Sequence, residues 1–539
     1  MIHLFKSNKL ITPVSTGVLA IIMIAVGGLS PLPLWAQVRT AATSTLAPAP
    51  SQLPTLGDGS DMSTSVERRL GDRIAREIYR EPDFVDDPVL MDYVQGIWQP
   101  LLAASKARGE MSPELEERFA WELMLLRDRT VNAFALPGGY FGVHLGLVAI
   151  VSSRDELASV LGHELSHVTQ RHISRLISRQ GQQTPWMIGA MILGALAASK
   201  NPDAGNAMIV GGQAMAAQSQ LNFSRDMERE ADRVGFGVMT QAGFEAAGFV
   251  TMFGKLQQAS RLNDNGAYPY LRSHPLTTER IADMQTRQAL IKPGLLNATL
   301  TLEHAMIAAR ARVLSNPGVD GLRALLDEAS ADSLAPLSVA RQGAVLYGGA
   351  LAANRLRDFD KARTYQLRLA GLVRADASAA RLSRLLATEI ELAAGDAARA
   401  AAALAPKSTG PGDAGIESAL RRPELFLRSQ IDLQSGQLAR VGETAQRLQG
   451  WVVSHPRDAQ AWQLLSSAYG AQGQTLRAIR ADAESHVAQL DYLAALDRFK
   501  AAQALLRPGR LAVDHIEASI IDTRKRQVEA LLKEQALDS

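Results

Sequence analysis

The chain has 539 residues, 57 basic against 55 acidic, and no cysteine. That length exceeds what one ordinary hydrophobic core supports, so two folded units behind a leader are expected. A formal charge of +2 offers no basic face for nucleic acid, and without thiols neither a disulfide framework nor an acylated leader cysteine is available.

Lys6 and Lys9 precede an apolar run from Val14 to Leu29, and the small residue Ala36 follows. This is the pattern of an export signal over residues 1–36, cleaved after Ala36; an uncleaved membrane anchor is the alternative that the same run allows. Residues 37–62 are rich in Ala, Thr, Ser and Pro and read as a flexible spacer. Between Ser63 and Tyr93 the steps Val66, Leu70, Ile74, Ile78 mark one face of an amphipathic helix expected to pack on the next unit. Phe119 to Leu126 and Thr130 to Leu136 are β-prone runs separated by Arg127, Asp128 and Arg129, and Pro137, Gly138 and Gly139 break the second. They predict a small antiparallel sheet. Asn132, Ala133, Phe134 and Ala135 would lie on its exposed edge, where an extended substrate adds by backbone pairing. His144 reads as structural. Trp186 to Ala198 is too short to span a bilayer and reads as a buried core helix, the alternative being an apolar flap beside a cleft.

Asp155 and Glu156 open a helix that continues past His167, and inside it residues 163 to 167 read His, Glu, Leu, Ser, His. Positions i and i+4 share a helix face, so His163 and His167 can reach one zinc ion (Zn2+), while Glu164 projects beside them as a general base for a water whose pKa the ion lowers to about 7. Two histidines do not complete a catalytic zinc site, which ordinarily has three protein ligands. His172 lacks the glycine turn of the compact three-histidine pattern and reads as a bystander. Glu228 and Asp232 lie four apart on a later helix. Alone they would be a solvated charged face; beside the His-Glu-x-x-His pattern, Glu228 reads as the third ligand and Asp232 as the acceptor that fixes a ligand imidazole's tautomer.

His163 to His167, then Glu228 with Ala231 and Asp232, resembles the zinc metallopeptidase family that includes the CAAX prenyl protease and the membrane heat-shock protease HtpX. Asn132 to Ala135 before Pro137, Gly138 and Gly139, and Ser273, His274, Pro275 before Glu279, Arg280 and Ile281, resemble its soluble periplasmic branch with a tetratricopeptide domain. The resemblance covers residues from about 63 to 290 specifically and the remainder only in repeat type. It implies a periplasmic protease and chaperone acting on outer-membrane β-barrel precursors. It also implies that His274 can take a fourth zinc position and hold the enzyme latent; from the residues alone, a lone His before Pro reads equally as a surface or capping residue.

After Leu302, Ala, Leu and Arg recur at helical spacing, with breaks at Pro317, Lys407 to Gly415, and Pro456. Pro456, Trp462, Leu465, Tyr469 and Ala478, then Ala495, Phe499 and Ala502, fall in tetratricopeptide phase, which predicts degenerate stacked helix pairs with a concave protein-binding face. The expected class is thus α+β and helix-rich: a zincin-like metallopeptidase unit over 63–295, then an all-α helical repeat unit over 300–539. The expected function is a periplasmic zinc endopeptidase degrading misfolded or misassembled outer-membrane proteins and assisting their assembly. Unfolded polypeptides are its expected substrates and the β-barrel assembly machinery a partner of the repeats, with no transmembrane anchor once the leader is removed. The alternative is a chaperone or scaffold acting through the repeats, with proteolysis secondary or latent.

Overall fold

In the computed structural model the described residues are 62–179, 224–261, 267–291, 300–315, 318–330, 334–405, 421–506 and 515–537. The expected signal and most of the spacer, the stretch Trp186 to Ala198, Pro317 and the loop Lys407 to Gly415 lie outside them.

Helix α1 (Thr64–Arg80) opens where the Ser63 hydroxyl accepts the Val66 amide, satisfying one of the helix's unpaired N–H groups. Its buried face is Leu70, Ile74, Ala75 and Ile78, while Val66 is only half-buried. The short strand β1 (Phe84–Val85) leads to α2 (Pro88–Ala107), which Asp87 caps and Pro88 starts with its φ already helical. After α3 (Pro113–Arg118) come β2 (Glu122–Leu126), β3 (Ala133–Leu136) and β4 (Tyr140–His144).

The sheet has the order β1-β2-β4-β3, and it is mixed, which corrects the expected antiparallel arrangement: β2 and β4 run parallel, while β1/β2 and β3/β4 are antiparallel. The reason lies in the turns. Gly138 and Gly139 take φ of 72° and 81°, values that glycine adopts without steric cost, and close β3 onto β4 as a tight hairpin. The longer link at 127–132 then carries β3 beyond β4, so that β4 rather than β3 lies against β2. Strand β3 is an edge, as expected, but not an exposed one along its whole length: Asn132 and Ala133 are buried, and only Phe134 and Ala135 are partly exposed.

Helix α4 (Leu145–Ile150) precedes α5 (Arg154–Thr169), capped by Ser153 with Asp155 and Glu156 in its first turn, and every residue of α5 from Glu156 to Thr169 is buried. Helix α6 (His172–Arg179) follows, then α7 (Arg225–Gln241), α8 (Ala247–Arg261), α9 (Tyr270–Ser273) and α10 (Thr278–Leu290). Helix α7 crosses α5 where Gly235 meets Gly162: a Cβ on Gly235 would stand 2.9 Å from the Gly162 carbonyl and the His163 amide. The absence of two side chains at this crossing brings the backbones of the two site-bearing helices together.

The remaining chain is helical: α11 (Leu302–Ser315), α12 (Val319–Glu328), α13 (Val339–Arg355), α14 (Phe359–Val373), α15 (Ala377–Ala393), α16 (Ala397–Leu404), α17 (Arg422–Ser435), α18 (Leu438–Ser454), α19 (Ala459–Ala471), α20 (Thr475–Ala488), α21 (Tyr492–Leu505) and α22 (His515–Leu537). From α13 on, each packs on the next along the chain, as stacked helix pairs do. The largest apolar core runs unbroken from Val85 and the α2 residues through α5 and α8 into α11, α13 and Ile431 of α17. Among the described residues no helix is long and apolar enough to cross a membrane.

One polar link in this shared core is sensitive to pH. His304 of α11 is fully buried; its Nε2–H donates to the Val151 carbonyl at 2.8 Å and its Nδ1 accepts the Tyr93 hydroxyl at 2.6 Å. Burial, opposed by the Val151 bond, holds its pKa below the usual histidine value. A folded pKa below the unfolded one means that the unfolded chain takes up the proton first, so stability is lost as pH falls below about 6.5. Thermal midpoints at about pH 7 and about pH 5 should therefore differ less in His304→Asn than in the wild type, and an equal difference would exclude this origin.

Candidate metal centre

Helix α5 presents His163 and His167 one turn apart, with their Nε2 atoms 3.0 Å from each other. Glu228, in the first turn of α7 below the Ser224 cap, places Oε1 3.5 Å from His167 Nε2 and Oε2 3.5 Å from His163 Nε2. His274 follows α9 and directs Nδ1 to 3.0 Å from Glu228 Oε1 and 3.3 Å from His163 Nε2. All four residues are buried, and each offers a donor atom within 4.8 Å of the others.

The donor set fits zinc. Ligands at 2.0–2.1 Å around a tetrahedral ion stand about 3.3–3.4 Å apart, and the separations of 3.0–3.5 Å found here bracket that edge. Three imidazoles and one carboxylate are also the nitrogen and oxygen ligands that zinc takes. Beside them Glu164 is 1% exposed, neither carboxylate oxygen makes a well-aligned hydrogen bond, and Oε1 lies 3.5 Å from His274 Nε2. A buried carboxylate without a well-aligned donor is costly, which suits a group aimed at a reacting atom rather than at the fold.

Asp232 accepts the His163 Nδ1–H at 2.9 Å and so turns Nε2 toward the shared site. Two partners emerge that sequence reasoning did not assign. Arg280 of α10 donates to both Asp232 oxygens at 2.6 and 2.8 Å and to the Pro275 carbonyl at 2.8 Å, and its Nη1 stands 2.8 Å from Glu228 Oε2. One guanidinium thereby ties α7 to the loop of His274. The only sequence signal was its place in the Glu279, Arg280, Ile281 run. His172, read as a bystander, has Nδ1 2.9 Å from His167 Nδ1 and Nε2 3.0 Å from Glu230 Oε2. The turn after α5 returns it to the metal helix, a fold-back that the glycine-based pattern does not describe. His144 contacts the Thr130 hydroxyl at 2.9 Å, away from the cluster.

The electrostatics follow from burial and pairing. Burial lowers the His163 pKa, but Asp232 and Glu228 outweigh it and hold it at about 9. His167, buried and facing His163, is pushed well below the histidine value. Burial raises Glu164, and although burial also opposes ionisation of Glu228, His274 and His163 hold that carboxyl well below its usual range. Such divergence among neighbours is typical of functional sites.

The edge strand borders this centre, since β3 packs on α5. The His144 amide donates to the Asn132 carbonyl, so Asn132, Phe134 and Leu136 pair inward with β4 while the main-chain groups of Ala133, which is fully buried, and of the half-buried Ala135 point away from it. On the same outward side Val131 is already paired: its N–H donates to Ala267 O at 2.8 Å and its O accepts the Tyr270 N–H at 3.3 Å. The segment leading to His274 therefore sits on this edge.

The model of peptidase family M48 matches residues 99–288, a span that contains all four donor residues. The β-barrel assembly-enhancing protease of Escherichia coli is 28% identical over 88% of this chain and 92% of its own length. A Vibrio cholerae protein provisionally given the same designation is 34% identical over 58% of this chain, but only 62% of that protein is spanned. The mitochondrial metalloendopeptidase OMA1 of Arabidopsis thaliana is 28% identical over 54% of the chain. The chain is therefore a zinc-dependent metalloendopeptidase with a peptidase M48 domain matched over residues 99–288.

Proposed function

We propose that the chain is a periplasmic endopeptidase that removes misassembled outer-membrane β-barrel proteins and assists their assembly, with His163, His167 and Glu228 as zinc ligands and Glu164 as the base. The observation that carries the site is the convergence of four buried donor groups within 4.8 Å of one another, next to a buried carboxylate whose oxygens make no well-aligned hydrogen bond. Zinc, when bound, supplies Lewis acidity toward the scissile carbonyl and lowers the pKa of water to about 7. Glu164 takes the proton of the attacking water and returns it to the leaving amine. Asp232, itself held by Arg280, keeps the His163 proton on Nδ1. Ala133 is fully buried, so on this edge the half-buried Ala135 offers its main-chain donor and acceptor to an extended substrate, a pairing that reads shape rather than sequence and suits unfolded chains.

The names of the bacterial relatives support the β-barrel substrate class, and the lysine-flanked apolar leader over residues 1–36 supports export. In this reading a spacer over 37–62 precedes a metallopeptidase unit over 63–295, and a tetratricopeptide-like unit over 300–539 engages the β-barrel assembly machinery through its concave face.

His274 favours a second reading. Structural zinc sites are closed by four protein ligands, whereas catalytic ones keep a position open for water. With His274 as a fourth donor the resting protein is latent, and its helical array acts as a chaperone or scaffold while proteolysis is secondary. The experiment is cleavage of an unfolded protein by His274→Ala beside the wild type, with zinc content measured in both. Faster cleavage at undiminished zinc content is expected; equal rates would remove the latch.

A further inference from the structure

We propose that His172 is a positioning residue for the zinc ligand His167, and that Glu230 and Arg175 hold it in that role. The inference rests on the reading of His163, His167 and Glu228 as zinc ligands. His167 directs Nε2 at the shared site, 3.0 Å from His163 Nε2 and 3.5 Å from Glu228 Oε1. A ligating nitrogen carries no proton, so the imidazole proton of His167 belongs on Nδ1. That Nδ1 stands 2.9 Å from His172 Nδ1, and at this separation one nitrogen donates and the other accepts. His172 is therefore the acceptor at Nδ1 and carries its own proton on Nε2. That nitrogen is 3.0 Å from Glu230 Oε2, an oxygen that also accepts from Arg175 Nη2 at 2.7 Å. The chain of donation runs one way, from His167 through His172 to Glu230.

The two histidine ligands are thus supported differently. His163 meets a carboxylate directly, in Asp232. For His167 the carboxylate stands one imidazole away, on the outer part of α7, where the Glu230 side chain is 29% exposed.

The backbone supplies an independent observation. Arg171, between α5 and α6, has φ of 53°, a left-handed conformation that is strained for a non-glycine residue and persists only where its surroundings impose it. They do so here: its guanidinium donates to Glu67 Oε2 at 2.9 Å, to Ser174 Oγ at 3.1 Å and to the Met62 carbonyl. This anchored reversal returns the chain beneath the metal helix and delivers His172, at 0% exposure, to the far side of His167. A histidine that merely filled the core would require neither the strained turn nor a carboxylate at its outer nitrogen.

The test is zinc affinity, measured on the full chain by competition with a chelator, together with the thermal midpoint of each metal-free form. His172→Phe should weaken zinc binding roughly 10–100-fold, the usual cost of losing a ligand's hydrogen-bond partner. Its metal-free midpoint should stay close to that of the wild type. His172→Asn places a carbonyl oxygen where Nδ1 stood and should recover most of the affinity, while Glu230→Ala, at a half-buried position, should weaken it several-fold. Wild-type affinity in His172→Phe, or His172→Asn as weak as His172→Phe, would overturn the assignment. If the Phe variant does not fold, the other two decide: equal affinity in His172→Asn, Glu230→Ala and wild type overturns it. Failure of the wild-type chain itself to bind zinc would overturn the ligand reading, and this proposal with it. Normal wild-type binding with unaffected variants would overturn only the role of His172.

Discussion

Glu164→Gln is expected to lower cleavage of an unfolded protein substrate by roughly 10²–10⁴-fold, the contribution of a positioned general base, with zinc content unchanged. The side chain is 1% exposed, and its oxygens make no well-aligned hydrogen bond that the amide would forfeit. The amide has nearly the same shape, does not belong to the four-donor cluster, and lacks only the basicity. Stability should not fall. Burial has already raised this carboxyl's pKa, so its ionised form is a net cost to the folded state above the ordinary glutamate range, and the neutral amide removes that cost. Paired assays of zinc stoichiometry and peptide hydrolysis check the expectation. Cleavage retained by metal-loaded, pure Glu164→Gln would rule out Glu164 as the base, and parallel loss of zinc and activity would make it a structural residue.

Arg310→Met should lower the unfolding free energy by about 3–5 kcal/mol, because it leaves two largely buried carboxylates without their counter-charge. From α11, Arg310 donates through Nε and Nη2 to Asp87 at 2.8 and 2.7 Å, and through both Nη atoms to Glu389 of α15 at 3.0 and 2.8 Å. Its side chain is 5% exposed, against 11% for Asp87 and 17% for Glu389. The arrangement recurs twice. Arg381 joins Asp92 of α2 to Glu424 of α17, and Arg422 joins Asp86 to Asp458. In each case one guanidinium, with its planar fork, bridges an acidic residue near the start of α2 and another in the helical array. Denaturant titration of Arg310→Met beside Arg312→Met provides the control: the Arg312–Glu328 pair is 56% and 41% exposed, and its loss should cost less than about 1 kcal/mol. Equal midpoints for the two variants would mean that the buried bridge does not stabilise the fold.

These bridges also show what was hidden in the chain. Asp86, Asp87 and Asp92 are ordinary helix-start acids by sequence, and Arg310, Arg381 and Arg422 are three among many arginines of an Ala-rich array. Nothing local pairs Asp87 with a residue 223 positions away. The strand order was hidden for a similar reason. Two β-prone runs with a charged link between them read as neighbours, and only the tight Pro137-Gly138-Gly139 hairpin, which ties β3 to β4 first, leaves β2 to pair in parallel. The continuous core from Val85 to Ile431 was equally out of reach, because periodicity marks a buried face without naming what covers it.

What sequence by itself determined was whatever depends on the helix period and on residues within one turn. His163 and His167 converge because i and i+4 share a face, Ser63, Ser153 and Ser224 cap the helices that follow them, and Glu228 and Asp232 present one side of α7. Tertiary structure alone decided how separate helices meet at one point. Gly162 and Gly235 let α7 approach α5 closely enough for Glu228 to reach both imidazoles. The 267–270 segment pairs with Val131 and sets His274 3.3 Å from a histidine 111 positions earlier, and the strained turn at Arg171 brings back a histidine that its spacing had dismissed. Hydrogen bonding and sterics act over neighbouring residues and leave a local signature, whereas a four-donor cluster drawn from three elements exists only once the helices have packed.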